Sequence, residues 1–114
     1  GVMSDCIFCS IAAGSTPVDV VQENDDTIFF RDISPKAKVH VQGIPKKHVT
    51  SFAVADKQTM SRLLTGAQAA AEKLGLVESG FRLIINTGSD SGWEVHHLHV
   101  HILGGEPLGP LRCQ

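Results

Sequence analysis

The chain lacks several features by which a sequence is often assigned to a broad class. Its 114 residues include no tyrosine and no apolar run long enough to span a membrane. Lys and Arg number 10 against 12 Asp and Glu, so the basic surface of a protein that binds duplex nucleic acid is absent. No signal-peptide segment is recognisable. With 42% hydrophobic and 19% charged residues, we expect one globular cytoplasmic domain over 3–114, and the two residues before Met3 are read as foreign to the native protein.

Cysteine is scarce, and its three copies cannot all pair in disulfides. Two of them form the sequence Cys6-Ile-Phe-Cys9, and the third, Cys113, is one residue from the C-terminus and is assigned no role. An odd count without a secretory segment favours a reducing compartment. In such a compartment the Cys-x-x-Cys spacing indicates a metal site, a redox pair or two inert thiols.

Hydrophobic periodicity predicts an α+β fold: a mostly antiparallel sheet of about five strands, one long helix and a short N-terminal helix. Apolar residues at helical spacing predict the long helix over 56–74, ended by Gly75. The short helix is predicted over 6–13. The strands are predicted over 18–22, 27–30, 38–44, 81–86 and 95–103.

The last predicted strand carries three histidines on one face. Side chains alternate along a strand, so His97, His99 and His101 project to the same side, each about 6.6 Å from the next. The residues between and after them are apolar and face the core: Leu98, Val100 and Ile102. Three aligned imidazoles suit metal binding, or phosphoryl or acyl transfer in which one ring attacks and its neighbours assist. The Gly/Ser-rich loop over 87–92 favours the second option, because exposed backbone N–H groups bind anions.

The segment His97-Leu-His-Val-His-Ile-Leu103 resembles the signature of the histidine triad (HIT) superfamily. The Gly104-Gly105 pair after it is typical of the histidine triad nucleotide-binding branch. Similar motifs occur in the right order over most of the chain: Asp5-Cys-Ile-Phe-Cys9, Arg31-Asp-Ile-Ser-Pro35, Ile44-Pro-Lys-Lys-His48 and Asn86. The chain is therefore identified as similar to the bacterial, zinc-containing members of that branch, and the resemblance implies a HIT-like fold.

The resemblance implies a nucleotide-binding hydrolase that cleaves the P–N bond of purine nucleoside 5′-phosphoramidates. His99 corresponds to the nucleophile, which would form a nucleotidyl-imidazole that water then hydrolyses. His101 would hold a non-bridging oxygen or assist the leaving group, and His97 completes the catalytic triad. A neighbouring backbone carbonyl is expected to fix the tautomer of His99.

The resemblance also implies the residues that bind the nucleotide. Asp32 corresponds to the carboxylate that accepts hydrogen bonds from both ribose hydroxyls. Four apolar side chains correspond to positions around the purine: Phe8, Ile11, Phe30 and Ile33. Phosphate and leaving-group contacts correspond to Asn86, Gly92, Trp93 and Glu94. The expected ligand is a purine nucleoside monophosphate or its phosphoramidate.

A structural zinc ion is implied by the same resemblance. In zinc-containing members the Cys-x-x-Cys cysteines share a metal with the histidine of the Pro-x-x-His motif and the first histidine of the triad. The corresponding set is Cys6, Cys9, His48 and His97, a Cys2His2 tetrahedral site. His97 would then be a ligand, and zinc would stabilise the fold without taking part in the reaction.

Some positions depart from the family pattern. Trp93 replaces a frequent Gln beside the phosphates, so we expect a different leaving-group preference. Thr16, His96 and Glu106 replace a frequent Ile, Tyr and Arg, and Glu94 is variable in the family. The remaining histidine, His40, and also His96, are given no function, because an isolated histidine is more often structural or exposed.

Other functions remain open at this point. A dinucleoside polyphosphate hydrolase is the alternative enzyme, although the Gly-Gly pair after the triad argues against it. A metal-dependent hydrolase is a further alternative, and a nucleotide-binding regulatory module without catalysis is an alternative of another class. Relatives join two sheets and pair their long helices, so a homodimer is expected.

Overall fold

The fold is an antiparallel five-stranded sheet with helices on both faces. The computed structural model describes residues 5–113, so the predicted domain limits at residues 3 and 114, and the two residues before Met3, lie outside the described range. The helices are α1 (Ile7–Ala12) and α2 (Lys57–Lys73), and short 3-10 turns occur at Phe52–Val54 and Ser89–Ser91. The strands are β1 (Val20–Glu23), β2 (Thr27–Arg31), β3 (Val39–Pro45), β4 (Phe81–Ile84) and β5 (Val100–Gly104). Their order is β1-β2-β3-β5-β4, which confirms the predicted α+β class and strand number.

Both helices begin at a side-chain cap. The Asp56 carboxylate accepts a hydrogen bond from the backbone N–H of Thr59 at 2.8 Å, which fixes the start of α2. The helix ends before Gly75, whose φ of +71° favours glycine, so the predicted helix over 56–74 is confirmed. In α1 the Cys6 sulfur accepts a hydrogen bond from the N–H of Cys9. The capping sulfur is thereby held at the helix start.

The last strand is shorter than the prediction of 95–103. The β3–β5 ladder begins where Gly43 faces Val100, two residues before β3 ends at Pro45. The preceding residues of the chain therefore run past the end of their partner strand. Leu98 instead donates its N–H to the Val49 carbonyl at 2.6 Å. The side chains of this extended segment still alternate between the two faces of the sheet, as predicted. Leu98 packs in the core below α2, while the rings of His97 and His99 contact Phe8 on the other face.

Two apolar clusters lie on opposite faces of the sheet. The larger lies under α2 and includes Phe29, Val41, Leu63, Ala67, Leu98, Val100 and Ile102. The smaller lies under α1 and contains Phe8, Ile11, Ile28, Phe30 and Ile44. Strand β2 contributes to both, so it is buried on both faces. The α1 face also carries the polar side chains of β3 and β5, and this places the functional groups opposite the long helix.

Close contact between α2 and the sheet depends on two glycines. A Cβ atom at Gly43 would overlap the Phe29 ring, and one at Gly66 would lie 2.5 Å from Cε1 of the same ring. The Phe29 side chain therefore occupies the space that any larger residue would need at either position. In residues 5–113, no helix is long and apolar enough to cross a membrane.

Candidate functional site

Four predicted metal ligands meet where α1 approaches the segment before β5. The donor atoms of Cys6, Cys9, His48 and His97 all lie within 4.8 Å of one another. The Cys9 sulfur is 3.2 Å from Nδ1 of His48 and 3.5 Å from Nδ1 of His97, and the Cys6 sulfur is 3.4 Å from Nδ1 of His97. A tetrahedral zinc ion with bonds of about 2.3 Å to sulfur and 2.0 Å to nitrogen holds such ligands about 3.5 Å apart. The four side chains therefore fit a tetrahedral metal site.

The second nitrogen of His97 supports the same interpretation. His97 Nε2 lies 2.9 Å from the Pro45 carbonyl oxygen, which can only accept, so Nε2 carries the proton. Nδ1 then presents its lone pair to the two sulfurs. This is the arrangement by which a backbone carbonyl orients a metal-bound histidine. Burial lowers the pKa of His97 and keeps the ring in the neutral form that a ligand needs.

The Cys9 thiol differs from an exposed thiol in its protonation. Burial, together with the hydrogen bond and charge of Cys6, raises the pKa of Cys9 to about 11. The Cys9 sulfur thus disfavours negative charge when no cation lies beside it. A divalent cation would stabilise both thiolates, so metal binding here is coupled to proton release.

The His99 ring is held by the backbone of the first histidine. Its Nδ1 lies 2.8 Å from the carbonyl oxygen of His97, so Nδ1 carries the proton and donates. The Nε2 atom therefore has a free lone pair, which is the tautomer required of a nucleophile. The ring is buried with its centroid 5.0 Å from that of Phe8, and this burial lowers its pKa. His99 is consequently a neutral, oriented imidazole, as expected for its predicted role.

The third histidine is oriented by a residue to which no function was assigned. His101 Nδ1 lies 2.9 Å from Nε2 of His40, which is buried. The backbone N–H of Lys36 donates to His40 Nδ1 at 3.0 Å, so the proton of the neutral His40 ring is on Nε2. His40 therefore donates to His101, whose own proton lies on Nε2. The sequence left His40 as an isolated, structural histidine, and the register of β3 on β5 places it against the triad.

His101 remains uncharged at neutral pH. Burial and the repulsion of the neighbouring His99 and His40 rings lower its pKa to about 4, although Asp32 acts in the opposite direction. Its Nε2–H group is therefore a neutral hydrogen-bond donor.

Asp32 is the carboxylate next to this histidine pair. Its Oδ2 accepts a hydrogen bond from the Gln42 side chain at 2.7 Å and lies 3.5 Å from His40 Nε2, while Oδ1 accepts from the N–H of Ser34 at 2.7 Å. Burial acts to raise the pKa of Asp32, but the Ser34 bond, His40 and Gln42 together hold it below its usual value. Asp32 is thus an ionised acceptor in a fixed position.

Asp32, His40 and His101 also lie close enough together to suggest a second metal site. A cation there would need the lone pair of His40 Nε2, and the ring proton would have to move to Nδ1. That proton would then face the N–H of Lys36, which already donates to Nδ1. The three residues are therefore better explained as a hydrogen-bonded network than as metal ligands.

A cavity of about 360 Å³ connects these groups. Its lining includes eight of the predicted catalytic or nucleotide-binding residues: Phe8, Asp32, Asn86, Gly92, Trp93, Glu94, His99 and His101. The other four lining residues were not predicted from the sequence: Lys36, His40, Gln42 and Val95. The signal for two of them was present, because His40 and Gln42 are alternate polar residues on an otherwise apolar strand.

Three predicted purine contacts are not part of this lining. Ile11 and Phe30 are buried in the apolar cluster under α1, and Ile33 is 96% exposed. His97 is buried at the cysteine cluster and does not line the cavity either. The structure thus brings together the residues predicted for phosphate, leaving group and ribose, whereas Phe8 is the only one of the four predicted purine residues in this lining.

The structure also pairs two of the residues that depart from the family pattern. The Trp93 and His96 rings are stacked, with centroids 4.3 Å apart and planes inclined by 24°. Glu106, another departure, accepts a hydrogen bond from the Lys38 N–H at 2.6 Å. Cys113 is exposed and lies outside the metal cluster.

Comparison with known proteins identifies similar sequences and structures. The family profile described as HIT domain matches residues 13–108. A purine nucleoside phosphoramidase of Escherichia coli K12 is 41% identical over 110 residues, which cover 94% of this chain and 92% of the relative. A histidine triad protein from Clostridium difficile has a TM-score of 0.89 at 40% identity, covering 95% of this chain and 96% of that one. A HIT family hydrolase from Legionella pneumophila has a TM-score of 0.86 at 39% identity, covering 92% of this chain and 100% of that one.

Proposed function

The chain belongs to the HIT domain family, and we propose that it is a nucleotide-binding hydrolase of purine nucleoside 5′-phosphoramidates. The relative named purine nucleoside phosphoramidase supports this substrate class. The observation that carries the proposal is the bond of 2.8 Å from His99 Nδ1 to the His97 carbonyl, because it leaves Nε2 of His99 free to attack.

The proposed reaction has two displacements at phosphorus. His99 Nε2 forms a bond to the α-phosphorus, the P–N bond breaks, and the amine leaves with a proton taken from solvent. The nucleotidyl-imidazole carries positive charge on its ring, which the bond from Nδ1–H to the His97 carbonyl stabilises. Water then attacks phosphorus and gives a proton to solvent, the bond from phosphorus to Nε2 breaks with its electron pair returning to Nε2, and the nucleoside monophosphate is released. Two in-line displacements retain the configuration at phosphorus.

His101 acts in this proposal as a hydrogen-bond donor. Its Nε2–H can bind a non-bridging oxygen of the phosphate as negative charge grows on it. The resemblance implies that His101 either binds a non-bridging oxygen or assists the leaving group. Oxygen binding agrees better with the orientation of the His40 and His101 rings. His40 already donates to His101 Nδ1, so a proton given up by Nε2 would leave an unfavourable anionic ring. Asp32 would accept hydrogen bonds from the ribose hydroxyls.

We propose zinc as the ion of the cysteine cluster, bound by Cys6, Cys9, His48 and His97. When bound, it supplies a structural cross-link between α1, the segment after β3 and the segment before β5. The free thiols that this site requires fit a reducing compartment such as the cytoplasm. His97 then supports catalysis through its backbone carbonyl while its ring is a ligand.

We further propose a homodimer and a single HIT domain over 3–114. Strand β4 is at the edge of the sheet, and its Phe81 and Leu83 side chains are 38% and 42% exposed. An exposed, apolar edge strand is suited to pairing with a second copy of the same strand.

The proposed reaction is tested by hydrolysis of AMP amides and by trapping the intermediate. We expect the wild type to release AMP, and mass spectrometry of the acid-quenched protein to locate an adenylyl group on His99. His99→Asn should lower kcat/KM at least about 10³-fold, whereas the matched control His96→Asn should retain an adduct on His99. Full activity in His99→Asn, or cleavage of diadenosine polyphosphate in preference to the amide, would contradict the proposal. AMP binding without any turnover would identify a binding module instead.

A further inference from the structure

Trp93, the only tryptophan of the chain, lines the proposed catalytic cavity. Trp93 is half-buried and shares the cavity with His99 and His101. Its ring is stacked on His96, and His96 lines the neighbouring cavity rather than this one. One face of the indole is therefore supported by the imidazole from outside the cavity. A side chain held in this way offers a preformed aromatic surface to a ligand inside.

The surroundings indicate which part of a ligand this surface would meet. Asp32, His40 and Gln42 form a hydrogen-bonded wall on the β3 side, which is suited to the polar ribose and phosphate. Trp93 belongs to a second wall, formed by residues 92–95 of the segment before β5. Glu94 and Val95 of that wall also line the neighbouring cavity, whose volume is about 560 Å³. A group lying against this wall has space to extend away from the reacting atoms, as a departing group must.

We propose that Trp93 is a specificity-determining residue that stacks on a planar aromatic group in the leaving amine. The inference rests on the proposed phosphoramidate hydrolysis, and it names the kind of amine that the site prefers. The aromatic surface discriminates by shape and by the charge distribution of its ring, so a flat aryl group is favoured over a puckered alkyl ring of equal size.

Two AMP amides test this preference, one of 2-phenylethylamine and one of 2-cyclohexylethylamine. The two amines have chains of equal length and the cyclohexyl group is the more hydrophobic, so a kcat/KM ratio in favour of the phenyl compound reports stacking rather than burial. We expect the wild type to favour the phenyl compound roughly 3- to 10-fold. Trp93→Gln should bring the ratio close to one, Trp93→Phe should keep part of it, and His96→Ala should lower it by loosening the indole.

A matched control removes an aromatic ring elsewhere. Phe52 is 53% exposed and does not line the cavity, so Phe52→Gln should leave the ratio at its wild-type value. A wild-type ratio near one, or a ratio unchanged by Trp93→Gln, would overturn the role of Trp93 while leaving the hydrolase function intact. A wild type that cleaves neither amide would overturn the hydrolase function itself.

Fluorescence tests the same contact without turnover, since Trp93 is the single indole emitter. In the His99→Asn variant we expect the phenyl amide to quench the emission more strongly, and to bind more tightly, than the cyclohexyl amide. AMP alone should quench it weakly. Equal quenching by AMP and both amides would mean that Trp93 contacts the nucleotide, and the proposal would then be wrong. This measurement tests the contact between Trp93 and the amine even if the wild type has no hydrolase activity.

Discussion

Nε2 of His40 lies 2.9 Å from Nδ1 of His101, although the two residues are 61 positions apart in the sequence. The antiparallel register pairs His101 with Gln42, so His40 is the diagonal neighbour of His101 on the same face. The N–H of Lys36 then determines which His40 nitrogen carries the proton. A backbone group outside the triad thereby fixes the donor that His101 presents to the cavity.

Removing the His40 ring should affect the reaction more than substrate binding. We expect His40→Ala to lower kcat about 5- to 10-fold, because one neutral hydrogen bond contributes about 1 kcal/mol, with KM changed less than about twofold. His40→Gln should recover part of kcat, since the amide can donate to His101 and accept from Lys36. Steady-state kinetics on an AMP amide and the unfolding midpoint of each variant check this. If alanine and glutamine were equivalent, or if only KM rose, His40 would not be a positioning residue.

The cysteine cluster predicts one zinc ion per chain. Cys9→Ala should abolish stoichiometric zinc in elemental analysis and lower the thermal midpoint, because a bound ion stabilises the folded state by about 2.7 kcal/mol when free zinc is 100-fold above its Kd. Cys113→Ala is the matched control, since that thiol is exposed and outside the cluster, and it should retain the metal. Equal zinc content in the two variants, or none in the wild type purified with zinc, would contradict the assignment.

Acid should destabilise the protein through His101. Its pKa is about 4 in the folded state against about 6.5 in the unfolded chain, so between these values the unfolded state binds more protons. The stabilisation that His101 contributes to the folded state is therefore fully present above pH 6.5 and is lost as the pH falls towards 4. Urea unfolding across that range should show a smaller pH dependence for His101→Asn than for the wild type. His96→Asn, which removes an exposed histidine, should behave as the wild type does. If the free energy of unfolding changed equally with pH in the wild type and both variants, the role of His101 in acid destabilisation would be refuted.

Sequence reasoning succeeded where the information is local. The spacing of apolar residues predicted α2, and strict alternation placed the rings of His97 and His99 opposite Leu98 although this segment is not part of the ladder. Contacts that depend on strand register could not be predicted in this way. His40 becomes a neighbour of His101 only through pairing across 61 positions, and no local pattern encodes that pairing.

The positions of the residues predicted around the purine also depend on the fold and not on local sequence. Ile33 is apolar in sequence, yet it lies 96% exposed beside the turn in which Asp32 accepts the Ser34 N–H. Ile11 and Phe30 are buried in the apolar cluster under α1. From sequence alone, an apolar side chain that lines a cavity cannot be distinguished from one that packs in the core.

The edge strand β4 provides the test of the proposed dimer. Leu83 pairs in register with Ile102, so it lies on the α2 side of the sheet, and it is 42% exposed. A charged side chain at this position would be desolvated in a strand-to-strand interface and remain hydrated in a monomer. We expect Leu83→Lys to shift the species seen in sedimentation velocity from dimer to monomer at micromolar concentration. Val54→Lys is the matched control, because Val54 is 70% exposed and lies outside β4, and it should leave the wild-type distribution unchanged. A wild type that sediments as a monomer, or a Leu83→Lys variant that remains dimeric, would rule out pairing through this edge.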